Sequence, residues 1–249
     1  MKNFIKNIIY FFLSFFNFRG PVVLMYHSVG ENRAFFTVKL RDFERQMNYL
    51  KQHNFNIISV AELLILLKNN KQKILNKNKT IIITFDDGYA DNYETAFPVL
   101  KKYQYPATIF LTVGRVGTKL KLKNKTKINM LNWEQIKEMH NSGLIDFEPH
   151  TITHPKLSKI EITVAENEIL ESKQIIEEKL NKKCRVFAYP FGDFNKNVKS
   201  LVQKYFGIAF STKKGKISRV SDLYDLPRNS IDSEVSFMQF KGIIKYGRI

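Results

Sequence analysis

Residues 80–88 read Thr-Ile-Ile-Ile-Thr-Phe-Asp-Asp-Gly, an apolar, β-branched run that stops abruptly at two adjacent carboxylates and a glycine. Ile81, Ile82 and Ile83 predict a strand buried on both faces, and Gly88 lets the backbone turn sharply just past Asp86 and Asp87. The two acids then sit at the carboxyl end of a strand, where α/β proteins bind their ligands. Neighbouring carboxylates repel when both are ionised, and a bound divalent cation keeps both charged. Further ligands stand in His150-Thr151-Ile152-Thr153-His154, behind a short apolar segment, Leu144 to Phe147, that reads as another strand. Two imidazoles and one carboxylate with an open position make a catalytic rather than a structural metal site. Taken singly, a histidine pair at this spacing also occurs in solvated loops, and Asp-Asp-Gly turns are common. It is their joint presence that points to a metal.

Outward from this stretch, strand-like apolar runs fall at Val22–Tyr26, Phe55–Ser59, Thr80–Phe85, Ala107–Thr112, Leu144–Phe147, Val186–Tyr189, Gly207–Ser211 and Leu223–Leu226. Helix-like stretches lie between several of them, at Leu40–Gln52, Ala61–Lys68, Asn92–Tyr103, Trp133–Ser142 and Thr163–Leu180. This alternation predicts an α/β fold of parallel strands joined by crossover helices. The 249 residues suffice for one such domain, and no internal repeat is evident.

Thr-Phe-Asp-Asp-Gly, His-Thr-Ile-Thr-His and Phe187-Ala188-Tyr189-Pro190-Phe191-Gly192, in that order, resemble the first three motifs of the polysaccharide deacetylases of carbohydrate esterase family 4. Asn132 to Met139 resembles the helix that precedes the second motif in many members. The resemblance implies the NodB homology fold, a distorted (β/α) barrel of about seven strands. It also implies that Asp87, His150 and His154 bind a divalent metal, zinc foremost with cobalt or nickel as alternatives, and that Asp86 is the catalytic base. The backbone N–H of Phe191, its approach fixed by Pro190, would stabilise the oxyanion.

The chain departs from the family pattern twice. Ala188 stands where the third motif often carries arginine, and Arg228, in Leu226-Pro227-Arg228 after an apolar run, is the candidate replacement. The late Leu-x-x-His motif is missing, but Leu24-Met25-Tyr26-His27 has the same pattern at the front of the chain. That arrangement resembles the circularly permuted branch that deacetylates poly-β-1,6-N-acetylglucosamine, and it makes His27 the candidate general acid. The bland alternative is a histidine satisfied by a backbone carbonyl at the end of the first strand. The reaction implied is removal of N-acetyl groups from an N-acetylglucosamine-containing bacterial polysaccharide. Removal of O-acetyl groups is the enzymatic alternative, and a glycan-binding pseudoenzyme of the same fold is the other.

Cys184 is the single cysteine, which excludes an intrachain disulfide and reads as packing. Glu166, Glu168, Glu171, Glu177 and Glu178 on a lysine-containing helix read as a solvated face. The net charge of +17 is spread along the chain, and the lysine clusters at 68–79 and 119–127 lack the aromatic pattern of an RNA-binding motif, so no nucleic-acid partner is expected. Attraction to an anionic membrane or acidic glycan is the functional alternative. Lys2 and Lys6 precede an apolar core, Ile8 to Phe16, in the charge order of a signal peptide but without a small-residue cleavage site. Residues 1–19 are therefore expected to be a signal or membrane-associating segment and residues 20–249 the catalytic domain. The expected location is the membrane or the cell envelope, with the cytoplasmic face left open.

Overall fold

The computed structural model describes residues 20–32, 34–69, 79–121 and 127–247. The expected export segment and most of both lysine clusters lie outside the described residues. The isoleucine run forms β5 (Thr80–Asp87), buried along its whole length. It extends two residues past the apolar run, because Asp86 and Asp87 continue the ladder opposite Phe110 and Leu111 of β6 (Ala107–Leu111).

Before β5 come β1 (Val22–Tyr26), the short pair β2 (Ser28–Val29) and β3 (Thr37–Val38), α1 (Leu40–Gln52), β4 (Asn56–Ile57) and α2 (Val60–Asn69). The predicted helix at 92–103 opens with a π-helical turn over Asn92–Ala96 and then becomes α3 (Phe97–Tyr103). After β6 follow the antiparallel ribbon β7 (Lys119–Lys121) and β8 (Lys127–Asn129), α4 (Trp133–Asn141), β9 (Ile145–Pro149) and α5 (Ile162–Leu180). The chain ends with β10 (Val186–Ala188), α6 (Lys196–Tyr205), β11 (Ile208–Phe210), β12 (Asn229–Ser230) and α7 (Phe237–Tyr246). Asn132 starts α4 with a reciprocal capping box to Gln135, and Asn195 caps α6 through the Val198 N–H.

The main sheet is parallel, in the order β12-β1-β5-β6-β9, with β4 paired to the start of β5. Register brings the motifs together. Tyr26 lies opposite Phe85, which sets His27 level with Asp86; Leu111 lies opposite both Asp87 and Pro149, so His150 emerges one step beyond. Parallel strands thus deliver residues from three distant parts of the chain to one edge.

Leu223–Leu226 is not a ladder strand. It makes a single bridge, Leu226 to Phe210, and the strand comes three residues later as β12. Pro227 interrupts the run because it has no N–H to offer a ladder.

Strands β10 and β11 form a separate parallel pair, and no continuous ladder joins them to the main sheet among the described residues. A side chain does that work between β9 and β10. Glu148, buried in β9, accepts from the N–H groups of Arg185 and Val186 at 3.1 Å, with Lys182 Nζ 3.5 Å away. Burial pushes its carboxyl up to about 7 against the pull of Lys182 and these donors. Glu148→Ala should therefore strand the buried Val186 N–H and leave that of Arg185 without its acceptor, lowering stability by about 1–3 kcal/mol. Urea unfolding measures this, and Glu148→Gln, which keeps an acceptor, should lose less.

Candidate active site

Asp87, His150 and His154 each turn a ligating atom to one point, all within 4.8 Å of one another. His150 and Asp87 are buried and His154 is nearly so. His150 Nδ1 lies 2.7 Å from the Ala188 carbonyl, which holds the ring so that Nε2 faces the site. The residue that departs from the family pattern thus contributes its backbone, which does not depend on the side chain. His154 Nε2 lies 3.4 Å from Asp87 Oδ1.

The protonation states suit a cation. Burial holds both imidazoles below their ordinary range, His154 at about 4, with the His150 charge adding to it. Burial alone would raise Asp87, but His154, His27, His150 and Arg115 bring it below the usual carboxylate range. Neutral imidazoles beside an ionised carboxylate are the donors that a divalent metal requires, so these three residues fit one.

The backbone is strained to achieve this. Asp87, Thr151, His154 and Phe191 have positive φ, at 71°, 67°, 66° and 59°. Such conformations cost about 1–3 kcal/mol each in non-glycine residues and persist only where surrounding contacts impose them. Gly88 completes the turn after Asp87; a Cβ there would meet Leu111 Cδ2 at 2.6 Å.

Asp86 lies beside the cluster, its Oδ2 4.0 Å from His150 Nε2. Arg228, fully buried, forks it through Nη1–Oδ1 at 2.6 Å and Nη2–Oδ2 at 2.8 Å, while Nε donates to the Ser211 carbonyl at 3.1 Å. The guanidinium lies 5.2 Å from the Phe110 ring centroid and 5.9 Å from that of Phe210. Burial would raise the Asp86 carboxyl, but Arg228, His150 and His27 hold it at about 2. The arginine that the third motif lacks is therefore placed on Asp86 from the far end of the chain. His27, at the end of β1, packs its ring 5.9 Å from Phe36, and its charge is felt by both Asp86 and Asp87. Pro190 and Phe191 lie in a 3₁₀ turn after β10, and the half-exposed Phe191 ring centres 4.4 Å from that of His154.

The family model for polysaccharide deacetylase matches residues 73–209. The chain belongs to this family. It is 31% identical to YxkH of Bacillus subtilis, assigned to the polysaccharide deacetylases, over 90% of this chain and 75% of that protein. It is 29% identical to the poly-β-1,6-N-acetyl-D-glucosamine N-deacetylase of Staphylococcus aureus over 98% of this chain and 78% of the relative. Among solved structures it resembles the Streptococcus pyogenes deacetylase PplD in complex with acetate, at a TM-score of 0.77 and 27% identity over 93% of this chain and 99% of that one. IcaB from Ammonifex degensii matches at a TM-score of 0.76 and 25% identity over 93% and 98%. The NodB-like deacetylase fold and the hydrolase class expected from the motifs are therefore those of this chain.

Several residues that shape the deacetylase site escaped the sequence reading. Glu168 is buried, not solvated: it accepts from the N–H groups of Ile152 and Thr153 at 2.9 Å and from Thr153 Oγ1 at 2.6 Å, clamping the loop between the two histidines. A signal was present, since Glu168 is in phase with Ala165, Ile169, Ser172 and Ile176 on the buried stripe of α5. Glu166 and Glu177 are also only partly exposed, Glu166 accepting from Tyr205 Oη and Glu177 from the Cys184 N–H. Asp87 receives Tyr89 Oη at 3.1 Å and Arg115 Nη1 at 3.2 Å. Asp193 accepts from the Ser158 N–H and hydroxyl at 2.8 and 2.9 Å, tying the Phe191 turn to the segment after His154. Cys184 is buried packing, as expected.

Arg228→Ala would leave the Asp86 charge buried without its partner and should cost about 3–5 kcal/mol in urea unfolding. Arg228→Lys should recover only part, because an ammonium cannot fork a carboxylate. Glu168→Gln should weaken the binding of an added divalent metal by about 10- to 100-fold in a chelator competition, with a smaller loss of stability.

Proposed function

We propose that this deacetylase hydrolyses the N-acetyl groups of an N-acetylglucosamine-containing bacterial polysaccharide, releasing acetate and leaving glucosamine units. The observation that carries this reading is the division of labour between the two acids. Asp87 joins a neutral histidine pair that fits a divalent metal, zinc foremost with cobalt or nickel as alternatives, while Asp86 beside them is forked by Arg228, with His27 level with it. The name of the Staphylococcus aureus relative, a poly-β-1,6-N-acetyl-D-glucosamine N-deacetylase, supports the choice of glycan.

An acetamide is a poor electrophile with a poor leaving group, so the site must activate water, stabilise an oxyanion and protonate nitrogen. Asp87, His150 and His154 would hold the divalent cation, which would supply Lewis acidity for the carbonyl and the water. Asp86 takes the proton of the attacking water as the new C–O bond forms. Its carboxyl at about 2 keeps it ionised throughout the working range, and the two-point grip of Arg228 fixes its orientation while that proton arrives. The N–H of Phe191, approached through Pro190, faces the developing oxyanion; one well-aimed donor contributes roughly 2.7–4 kcal/mol there. His27 as imidazolium gives its proton to nitrogen as the C–N bond breaks, so the amine leaves neutral.

Residues 1–19 are assigned to export or membrane association on the strength of Lys2 and Lys6 before the apolar core, leaving residues 20–249 as the catalytic domain. Among the described residues no helix is long and apolar enough to cross a membrane.

Acetate release from β-1,6- and β-1,4-linked N-acetylglucosamine oligomers, by protein stripped with chelator and reloaded with zinc, cobalt or nickel, tests the reading. Release should return with metal, and Asp86→Asn should lower it by about 10²- to 10⁴-fold while metal binding persists. Release from O-acetylated glycan alone would replace the amide assignment with an ester one. Glycan binding without any metal-dependent release would make the chain a binding protein.

A further inference from the structure

The segment that follows the two catalytic-site acids also grips the backbone that carries His27. Asn92 Nδ2 donates to the His27 carbonyl at 2.8 Å. Asp91 accepts from Ser28 Oγ at 2.5 Å and from the Val29 N–H at 3.3 Å, and Thr95 Oγ1 donates to the Val29 carbonyl. Asn32 and Thr37 close the network, Asn32 Nδ2 donating to Ser28 Oγ at 2.7 Å and Thr37 Oγ1 to the same oxygen at 3.0 Å. All three residues from 27 to 29 are thus held by side chains from one turn, the π-helical turn at Asn92–Ala96 and the residue before it. Single π turns inside helices are uncommon and recur at functional sites.

Two details argue that this grip is specific. Asn92 is 2% exposed, and its Oδ1 has no hydrogen-bond partner among the described residues, so the amide is committed through its N–H group. Flipping it would set a carbonyl oxygen against the His27 carbonyl and the Asp91 carboxylate, three acceptors with no donor. Burial pushes the Asp91 carboxyl up to about 6, the opposite direction from Asp86, and the donors from Ser28, Val29 and Asn32 work to keep it an acceptor.

We propose that Asn92, supported by Asp91, is a positioning residue for the general acid: it fixes the height of His27 against Asp86. The inference rests on the N-deacetylase reading for the role of His27. The physical logic is distance control. The β1–β5 ladder sets the register as far as Tyr26; just past its end, Asn92, on the same segment as Asp86, holds the His27 carbonyl, so the acid and base stay level. Misplacing the acid harms only a reaction whose leaving group must be protonated. An amide needs that proton, whereas the phenolate of an aryl acetate leaves without it.

The test uses the zinc-loaded full chain. Asn92→Ala should lower kcat on N-acetylglucosamine oligomers by about ten-fold or more with KM within about two-fold, and hydrolysis of 4-nitrophenyl acetate should change by less than about two-fold. In a His27→Ala background the same change should cost less than about two-fold on the oligomers, because the two residues act as a unit. Ser28→Ala, a milder disturbance, should show the same selectivity on a smaller scale. Equal loss on both substrates, or an undiminished loss without His27, would overturn the proposal and leave Asn92 a packing residue. If the wild-type chain releases no acetate from the oligomers, the N-deacetylase reading is what fails. Amide hydrogen exchange at residues 27–30 then decides the positioning claim. Exchange faster by about ten-fold in Asn92→Ala supports it, and unchanged exchange sinks it.

Discussion

Two negative charges at the end of a fully buried strand must each be matched from elsewhere, and most of the architecture around them can be understood as that matching. The two acids lie close enough that His27 and His150 act on both, yet each also has a strong partner of its own. Asp86 receives Arg228 from the last part of the chain; Asp87 receives His154, Arg115 and Tyr89. Burial works against ionisation of either carboxyl, and Arg228 beside Asp86 and Arg115 beside Asp87 are among the groups that bring both below the usual carboxylate range. One strand thereby offers two ionised carboxylates from adjacent positions, one forked by Arg228 and one grouped with the histidine pair.

The cost appears in the backbone. Positive φ at Asp87, Thr151, His154 and Phe191 places ligating and rim side chains where regular geometry would not. Buried acceptors and donors hold these conformations in place. Glu168 fastens the loop between the histidines, Asp193 ties the Phe191 turn to Ser158, and the Ala188 carbonyl orients His150. Glu148 does comparable work in the frame, linking β9 to β10 through two N–H groups where the ladder is interrupted. Acidic side chains thus serve here as struts between backbone segments as well as in chemistry.

The order of elements explains how a histidine near residue 27 and an arginine near residue 228 reach one site. Strand β1 lies between β12 and β5, so the first and last strands of the main sheet flank each other beside the strand that bears the acids. A group at the carboxyl end of β1 meets the site from one side, and a group just before β12 meets it from below. Chain order is therefore free to differ from the order in which groups act, provided that the strands stay parallel and in register.

Much of this was legible in the residues. The isoleucine run ending in Asp86-Asp87-Gly88, the histidine pair and the alternation of apolar runs dictate a parallel α/β fold with a metal-binding edge, because burial, strand period and ligand chemistry act locally. The helices at Lys196–Tyr205 and Phe237–Tyr246, the strand at Asn229–Ser230 and the buried state of Glu168 were not read, although Glu168 shares the phase of its helix's apolar stripe. What the sequence by itself determined is the family, the parallel α/β fold and the candidate residues that its motifs set at strand ends. Only the tertiary structure decided their pairings: that Arg228 takes Asp86, that Ala188 serves through its carbonyl, that Asn92 holds His27. Those are contacts between residues 38 to 142 positions apart, set by register and buried charge, which no local pattern encodes.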